Sequence, residues 1–419
     1  MAGKLVLPCH VVTGDEACFS LGGRGAPAGA EKGADRDQRR SPADRRTFNR
    51  MKHARDFRVV ALGGGVGASQ VMTGLREYTR FQTGVIAVTD SGRSTGVVRS
   101  ALNVPAPGDL RNALVTLSEA DPVLKDLFQH RLAGTRLDQF NGVAFGNLFL
   151  AALAQMTGSF EHAVLEMNRI LKPSANVLPV TLSNTHLCAE LVDGSVRYEE
   201  VSVRGTEKPA IRRVYLRDDG VEAYAPVVEA LRAADLITIG PGSLFTTVIA
   251  CLIVPGIREA IAEARANGAT TVYVCNTTTQ PGQTDGFTLS DHVAEVVGYL
   301  GTGNLDYTLV NTGVPAAHIV DRHRREGLSL MTLSAAELRR INDLGVEVVA
   351  TSLIETGSES RALWNKVDTV RHEPARVGAE LASLMAVIAE ARAAERSEVT
   401  AKGSLTPPEA SASPGVVTA

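Results

Sequence analysis

The residues of this chain best suited to chemistry follow short apolar runs, and the first group is a cluster of glycines. The segment RVVALGGGVGAS contains four of them: Gly63, Gly64, Gly65 and Gly67. Glycines between a strand and a helix let backbone N–H groups approach a phosphate at the helix N-terminus. They are equally expected where a tight turn needs a positive φ angle. Taken alone, the segment leaves both interpretations open, because neither the GxGxxG nor the GxxxxGK[ST] pattern is complete.

A second polar group, TDSGRSTG at 89–96, follows the next apolar run. Hydroxyls, backbone amides and the Arg93 guanidinium suit a phosphate, and Ser94 supplies one of those hydroxyls. Asp90 stands at the end of the apolar run, where a carboxylate can bind a sugar hydroxyl or a metal ion. The alternative is a hydrophilic loop in which Asp90 caps a turn.

Two predicted helix starts add further polar side chains. PAPGDLRNAL places Asp109 near an N-cap and Arg111 and Asn112 in the first turn. Capping of the helix explains Asp109. It does not explain Arg111, because a cation in the first turn opposes the helix dipole unless an anion lies near it. In FNGVAFGNLFLAAL, Asn147 stands at another helix start, where its amide can read a base or sugar or simply occupy an ordinary first-turn position.

A second glycine-rich turn follows the apolar run LITIG. It contains Gly240, Gly242 and Ser243, again between a predicted strand and a predicted helix. In an open parallel sheet, ligands bind at the carboxyl ends of the strands. Two phosphate-accepting turns in one sheet therefore support each other.

The loop NTTTQPGQTDGF at 276–287 follows another apolar run and is dense in hydrogen-bonding groups. Asn276, Gln280 and Asp285 belong to it, and it contains no strong nucleophile. GxSxG, HExxH and kinase signatures are missing from the sequence, so nucleophilic catalysis has little support. Five predicted strand ends carry small, polar residues, which favours binding of a phosphorylated ligand over five unrelated turns.

The apolar runs themselves predict the fold. They are continuous rather than alternating, as in strands covered on both faces, and helical spacing separates them. We therefore expect an α/β fold with a doubly wound, mainly parallel Rossmann-like sheet. Helical spacing at 108–172 predicts a helical insertion, and 178–216 reads as a small antiparallel hairpin unit. The strands of the parallel sheet are expected at 58–62, 85–89, 236–240, 271–276, 307–311 and 346–350.

Composition sets limits on the class of protein. The 419 residues are 44% apolar and 21% charged with a net charge of −3, which gives no electrostatic drive toward nucleic acid or an anionic membrane. The five cysteines have no metal-ligand spacing, and no apolar run approaches the roughly 20 residues of a membrane span. A soluble, cytoplasmic protein is expected. Residues 1–56 are predicted to be a disordered basic arm, 57–394 the nucleotide-binding domain, and 395–419 a disordered tail.

The motifs together resemble a known family. GGGVGAS, TDSGRSTG, PAPGDLRNAL, LFQHRL, FGNLFLAAL, GPGSLFTTVIACLIVPGI, VYVCNTTTQPGQTDGF and DHV occur in the order and approximate spacing of the gluconeogenesis factor (YvcK-like) family. That family is related to the CofD 2-phospho-L-lactate transferases, and the resemblance covers roughly 57–375. It implies a ligand cleft that takes nucleotide-sugars such as UDP-N-acetylglucosamine and a role in cell-wall synthesis and cell shape during gluconeogenic growth. CofD-type members transfer a phospholactyl group from a guanosine diphospho-carrier to a deazaflavin, with Mg²⁺ held by acidic residues.

The sequence departs from the family pattern in the second loop. Where the family has a loop similar to ADDGGSSG, this chain has Ser91 in place of the second aspartate and an arginine at position 93. Mg²⁺ sites normally use one or two carboxylates with phosphate oxygens, so this loss weakens a metal-dependent mechanism. Arg93 can instead pair with a diphosphate directly. Gln283 replaces another family acid, and Ala250 and Cys251 replace the usual Pro and Asn.

Three functional hypotheses follow. The leading one is a nucleotide-sugar-binding regulatory protein that has a nucleoside diphosphate sugar as its ligand and acts, as a homo-oligomer, with cell-wall synthesis proteins. The second is a CofD-like, Mg²⁺-dependent transferase with Asp90 and Asp285 as catalytic residues and Asp90 as metal ligand. The third is a scaffold protein acting through its termini. The expected ligand-binding residues are Gly63, Gly64, Gly65, Gly67, Asp90, Arg93, Ser94, Asp109, Arg111, Asn112, Asn147, Gly240, Gly242, Ser243, Asn276, Gln280 and Asp285.

Overall fold

The computed structural model describes residues 55–134, 140–355 and 370–403 of the chain. The side chains of Arg93 and of 395–403 also lie outside the described part. The predicted N-terminal arm therefore falls almost wholly outside the described residues, as does the chain beyond Gly403. The statements below concern the described residues.

A seven-stranded parallel sheet forms the centre of the fold and confirms the predicted class. Its spatial order is β10-β9-β8-β7-β1-β2-β3. Continuous burial along most of these strands accounts for their unbroken apolar runs. The strands are β1 (Arg58–Gly63), β2 (Phe81–Ile86), β3 (Asn176–Pro179), β7 (Leu236–Ile239), β8 (Thr270–Val274), β9 (Tyr307–Asn311) and β10 (Glu347–Thr351).

Helices cover both faces of this sheet. One face packs against α1, α3, α5, α6 and α14, and the other against α8, α10, α11 and α13. The helices are α1 (Gly67–Leu75), α2 (Arg93–Leu102), α3 (Pro107–Thr116), α4 (Pro122–Gln129), α5 (Phe145–Thr157), α6 (Phe160–Leu171), α7 (Glu200–Arg204), α8 (Ala225–Arg232), α9 (Ala250–Leu252), α10 (Ile257–Ala266), α11 (Leu289–Leu300), α12 (Ala317–Arg325), α13 (Ala335–Asp343) and α14 (Pro374–Gly403). A π-helical segment, Leu244–Ile249, runs directly into α9.

The small antiparallel unit is a separate three-stranded sheet with the order β5-β4-β6. Its strands are β4 (Leu187–Leu191), β5 (Val196–Tyr198) and β6 (Ile211–Leu216). The segment LPVTL was expected to open this unit, and that assignment is wrong. β3 instead pairs in parallel with β2, with Ile86 opposite Pro179. Its buried positions match a strand covered on both faces.

Several boundaries differ from those read from the sequence. Helix α2 begins at Arg93, so the second half of TDSGRSTG lies in a helix rather than in a loop. The predicted helical insertion contains α3 to α6. At the C-terminal end, α14 continues to Gly403, past residue 394 where the tail was expected to begin.

No single helix in the described ranges is both long and apolar enough to cross a bilayer. The segments Leu244–Leu252 and Ile257–Ala266 meet the length and hydropathy criterion only as a pair, and a 66° bend separates them.

The strand order places a switch point between β1 and β7. From β1 the chain moves outward to β2 and β3, whereas from β7 it moves in the opposite direction to β8, β9 and β10. The loops that follow β1 and β7 therefore diverge at their shared sheet edge, and such a crevice is where open α/β sheets bind ligands. The two glycine-rich turns of the sequence are these two loops.

Close backbone packing explains the glycines after β1. A Cβ atom at Gly65 would overlap the carbonyl oxygen of Asp109, and one at Gly67 would overlap that of Pro241. The described positive-φ glycines do not include 63–67, so the positive-φ explanation for this turn is wrong. The second turn differs, because Gly240 does have a φ of 74°.

Replacement of Gly67 by alanine tests this packing. We expect Gly67→Ala to lower the free energy of unfolding by about 1–3 kcal/mol, because the new methyl group must push the Pro241 loop away. The matched control is Gly298→Ala within α11, where nothing lies within 4 Å of the new Cβ. That change should raise stability by about 0.5–1 kcal/mol through helix propensity. Urea denaturation of both variants is the measurement, and equal stabilities would contradict the packing argument.

Candidate functional site

Two adjoining cavities open at the carboxyl edge of the sheet. The larger has a volume of ≈ 770 Å³ and the smaller of ≈ 160 Å³. They form one cleft, because both are lined by Val66, Gln70, Asp109, Ser243 and Thr247. Loops following β1, β2 and β7 meet here, together with the start of α3, as the strand-end argument predicts.

The loop after β1 presents backbone donors to this cleft. Gly64, Gly65 and Gly67 line the smaller cavity. Val66, the N-cap residue of α1, makes no side-chain cap, and in the described part of the chain the N–H groups of Gly65 and Val66 have no backbone acceptor. Backbone amides at a helix N-terminus carry a partial positive charge and favour an anion. Gly63 does not line the cleft, since it ends β1 and its carbonyl accepts from Ala87 N at 3.0 Å.

The loop after β7 forms the facing wall. Gly242 and Ser243 line the cleft immediately before the π-helical segment, whereas Gly240 lies behind it. Asn276 Nδ2 donates to the carbonyl oxygen of Gly242 at 2.8 Å, and Gln280 Nε2 donates to Ser243 Oγ at 3.1 Å. Both amides therefore hold this loop in place. Their oxygens, Asn276 Oδ1 and Gln280 Oε1, are buried without a partner.

Three arginines line the larger cavity: Arg111, Arg131 and Arg204. Arg111 is only 2% exposed, and burial together with the charge of Arg131 lowers its pKa to about 10. Its guanidinium donates to the Phe128 carbonyl at 3.3 Å and to Asn112 Oδ1 at 2.7 Å, while its Nε has no partner. The charges of Asp109 and Asp90 offset part of the cost of this burial. Asn112 orients Arg111, and the arrangement suits a phosphate.

Asn147 lies behind the cleft rather than in it. This residue is 1% exposed, and its Nδ2 donates to Ser94 Oγ at 3.1 Å. Arg131 Nη1 reaches the same hydroxyl at 3.4 Å. Ser94 lines the larger cavity, whereas Asn147 is not among the lining residues. Asn147 therefore positions Ser94, and its direct contact with a base or sugar stays a prediction.

A pair of carboxyl groups also lines the larger cavity. Asp90 lines it and accepts from Gly92 N at 2.8 Å, which is the turn-capping bond expected from the sequence. Beside it stands Glu200, a residue that the sequence analysis missed. Burial first and the Asp90 charge second raise the pKa of Glu200 to about 7, and Arg204 opposes this shift. The position of Glu200 was not evident from the sequence, because α7 belongs to the antiparallel unit.

Asp285 does not join this site. Its side chain is exposed, and Oδ2 accepts from Gly282 N at 2.7 Å within the turn of its own loop. Neither cavity includes it among its lining residues. The structure therefore does not bring Asp90 and Asp285 together. Arg93 opens α2, and its side chain lies outside the described part.

The smaller cavity also contains residues that sequence reasoning missed. His372 and Arg371 line it, although they precede α14, far along the chain from the glycine turns. Burial lowers the pKa of His372 to about 4, so the imidazole is neutral at physiological pH. Its Nε2 atom is buried without a partner. Isolated polar residues in a segment without a turn motif carry no signal in the sequence.

In the described ranges, no group of three or more His, Cys, Asp or Glu side chains is arranged to hold a metal ion.

Comparison with known proteins agrees with this architecture. The family model described as 2-phospho-L-lactate transferase CofD matches residues 59–354. The gluconeogenesis factor of Bacillus subtilis (strain 168) is 34% identical over 328 residues, which cover 78% of this chain and 98% of that protein. The gluconeogenesis factor of Halalkalibacterium halodurans is 39% identical over 290 residues, covering 66% and 88% respectively. A crystal structure of a UPF0052 family member from Bacillus halodurans matches with a TM-score of 0.70 at 33% identity, covering 78% of this chain and 99% of that one. These matches confirm the resemblance inferred from the motifs.

The raised pKa of Glu200 predicts a pH-dependent stability. A carboxyl group whose pKa is raised on folding stabilises the fold fully below its ordinary pKa, and this contribution is lost as the pH rises toward 7. We expect the free energy of unfolding of the wild-type protein to fall by about 3 kcal/mol between pH 4.5 and pH 7.5 through this group. Glu200→Gln cannot ionise, so the variant should lack this fall. Urea denaturation across this range, compared with the exposed control Glu207→Gln, is the measurement. A Glu200→Gln profile parallel to that of the wild type would contradict the assignment.

Proposed function

This chain belongs to the CofD family and is similar to gluconeogenesis factors, and we propose that it binds a nucleoside diphosphate sugar of the UDP-sugar type. In this proposal the ligand is a regulatory signal that links central carbon metabolism to cell-envelope synthesis and cell shape. The observation that carries the proposal is the convergence of two glycine-rich turns and the buried Arg111 on one cleft at the switch point of the sheet.

The diphosphate is assigned to the junction of the two cavities. Gly65 and Val66 at the start of α1 line the cleft at this junction, and so does Ser243. Arg111 approaches from the larger cavity, where its buried charge lacks a full set of acceptors. Helix N-termini and a guanidinium are the two protein groups best suited to phosphate oxygens.

The base and the sugar are assigned to the two ends of the cleft. The smaller cavity is lined by neutral polar groups such as Asn276, Thr278 and His372, together with the charged Asp109 and Arg371, and the nucleobase is assigned to it. The larger cavity carries charged and hydroxyl groups, which suit a hydrated sugar. Asp90 faces that cavity and is the candidate acceptor for sugar hydroxyls.

A CofD-like transferase is the second candidate, and one observation favours it. The larger cavity contains the carboxyl pair Asp90 and Glu200, and its ≈ 770 Å³ leaves room for an acceptor beside the nucleotide. In such a reaction the acceptor hydroxyl attacks the outer phosphorus of the nucleoside diphosphate carrier and the phosphoanhydride bond breaks. The nucleoside monophosphate leaves, and the acceptor proton goes to a carboxylate. Asp90 is the nearest group to that role, whereas Asp285 lies outside the cavity.

Substitution of Arg111 tests the binding proposal. We expect Arg111→Gln to weaken binding of UDP-N-acetylglucosamine about 10- to 100-fold, because a charge-assisted hydrogen bond to phosphate contributes about 1.5–3 kcal/mol. Isothermal titration calorimetry in the presence of EDTA is the measurement. Arg169→Gln serves as the control, since Arg169 is exposed and paired with Glu166 on α6. Arg131→Gln provides a second variant if the buried substitution reduces folding. Failure of UDP-sugars, UDP and GDP alike to bind the wild-type protein would overturn the proposal.

Substitution of Asp90 separates the two candidates. If the protein only binds its ligand, Asp90→Asn should weaken binding of the nucleotide-sugar, because an acceptor for the sugar hydroxyls is lost, and no product should form with or without Mg²⁺. If the protein is a transferase, turnover of a guanosine diphospho-carrier with Mg²⁺ should be lost in Asp90→Asn while nucleotide binding remains. Calorimetry and product analysis by mass spectrometry on the same preparations distinguish these results.

A further inference from the structure

Asp90 and Glu200 come from two separately built parts of the fold and meet in the larger cavity. Asp90 follows β2 of the parallel sheet, whereas Glu200 is the first residue of α7 in the antiparallel unit. A hydrogen bond joins the two parts beside these residues, because Ser91 Oγ accepts from the backbone N–H of Val201 at 3.2 Å. The residue that replaces the family's second aspartate thus anchors the helix that delivers Glu200.

One oxygen of Glu200 is left without a partner. The residue is 5% exposed, and its Oε1 accepts from Arg204 Nη1 at 3.1 Å. Its Oε2 is buried and has no hydrogen-bond partner. A buried carboxylate oxygen without a partner costs free energy, and a neighbouring carboxylate adds repulsion. Either a proton or a cation between Glu200 and Asp90 removes that cost.

Further oxygen atoms lie around the same point. A Cβ atom placed on Gly92 would lie 3.2 Å from Asp90 Oδ1 and 3.8 Å from Glu200 Oε2. One placed on Gly108 would lie 3.2 Å from Asp90 Oδ2 and would overlap Thr95 Oγ1. Carboxylate and hydroxyl oxygens are the donors that hard divalent cations prefer. A side chain at Gly108 would displace the Thr95 hydroxyl, and one at Gly92 would crowd Asp90.

We propose that Glu200 is the second carboxylate of a divalent-cation site, in which Asp90 supplies the first and the Thr95 hydroxyl contributes a further oxygen. Glu200 thereby takes the role of the second aspartate in the family pattern, a position that Ser91 occupies in this chain. Two carboxylates leave several coordination positions free, which is the usual arrangement where Mg²⁺ also binds water and substrate phosphate oxygens.

The charges around the pair are compatible with a cation. Arg204 contacts the outer oxygen of Glu200, and Arg99 and Arg111 lie close enough to Asp90 to interact with its charge. The three guanidiniums limit the affinity of an isolated cation. An anionic ligand in the cleft offsets the positive charge of these guanidiniums. The affinity for the cation is therefore expected to rise when phosphate groups are present.

Mn²⁺ binding measured by electron paramagnetic resonance tests this proposal. The full-length protein is treated with EDTA, dialysed and titrated with Mn²⁺, alone and with inorganic pyrophosphate. We expect one bound Mn²⁺ per chain, with an affinity that falls at least tenfold in Glu200→Gln and in Asp90→Asn. Glu207→Gln, an exposed acid of the same antiparallel unit, should bind as the wild type does. Mn²⁺ should also raise the melting temperature of the wild-type protein but not that of Glu200→Gln, which reports on the site without any assay of activity.

Two results would overturn the proposal. One is a wild-type protein that binds no Mn²⁺ in either titration, which would leave a shared proton as the only link between the two carboxyl groups. The other is a Glu200→Gln variant with wild-type Mn²⁺ affinity. Calorimetry with UDP-N-acetylglucosamine in EDTA, performed on the same preparation, keeps the two proposals separate. Nucleotide binding without Mn²⁺ binding contradicts only the cation site, and Mn²⁺ binding without nucleotide binding contradicts only the nucleotide-sugar proposal.

Discussion

The cleft depends on direct contact between the backbones of three loops. Gly65 lies against the Asp109 carbonyl and Gly67 against that of Pro241, at distances that exclude a Cβ atom. These contacts bring the ends of β1 and β7 and the start of α3 within reach of a single small molecule. Because atoms in close-packed backbone can hardly yield, the amides at the start of α1 are held in place before a ligand arrives. Preorganised donors of this kind lose little entropy on binding.

The cleft contains charges of both signs close together. Arg111 on α3 is buried, and Phe128 and Asn112 accept two of its hydrogen bonds. The carboxyl group of Asp90 lies beside Gly108 of the same helix, and its charge helps to raise the pKa of Glu200. The proposed nucleotide-sugar has anionic and hydroxyl groups that complement both kinds of charge. A transfer reaction would use the same groups, with arginine for the phosphates and a carboxylate for the proton.

Much of the fold could be predicted from the sequence because buried parallel strands are continuous apolar runs. The segment 307–311 coincides with β9, and the glycine turns were placed correctly at the ends of β1 and β7. β3 was assigned to the wrong sheet, because a short apolar run does not reveal its neighbour. Local patterns also found Arg111, whose position in a first turn conflicts with the helix dipole. They did not find Glu200 or His372, which reach the cleft through long-range packing. Asn147 lies behind the cleft, since a helix start near a motif does not show which direction the side chain takes.

The antiparallel unit has a consequence for how this scaffold acquires different activities. The groups assigned to the phosphates lie on loops and helices of the parallel-sheet part, whereas Glu200 arrives on an insertion that folds as its own small sheet between β3 and β7. Alteration of that insertion can exchange Glu200 for another residue without disturbing the contacts around Gly65 and Gly67. Under the proposed function, the phosphate contacts and this acid are thus encoded in different stretches of the gene. A lineage can change the acid beside Asp90 while it keeps the proposed phosphate contacts.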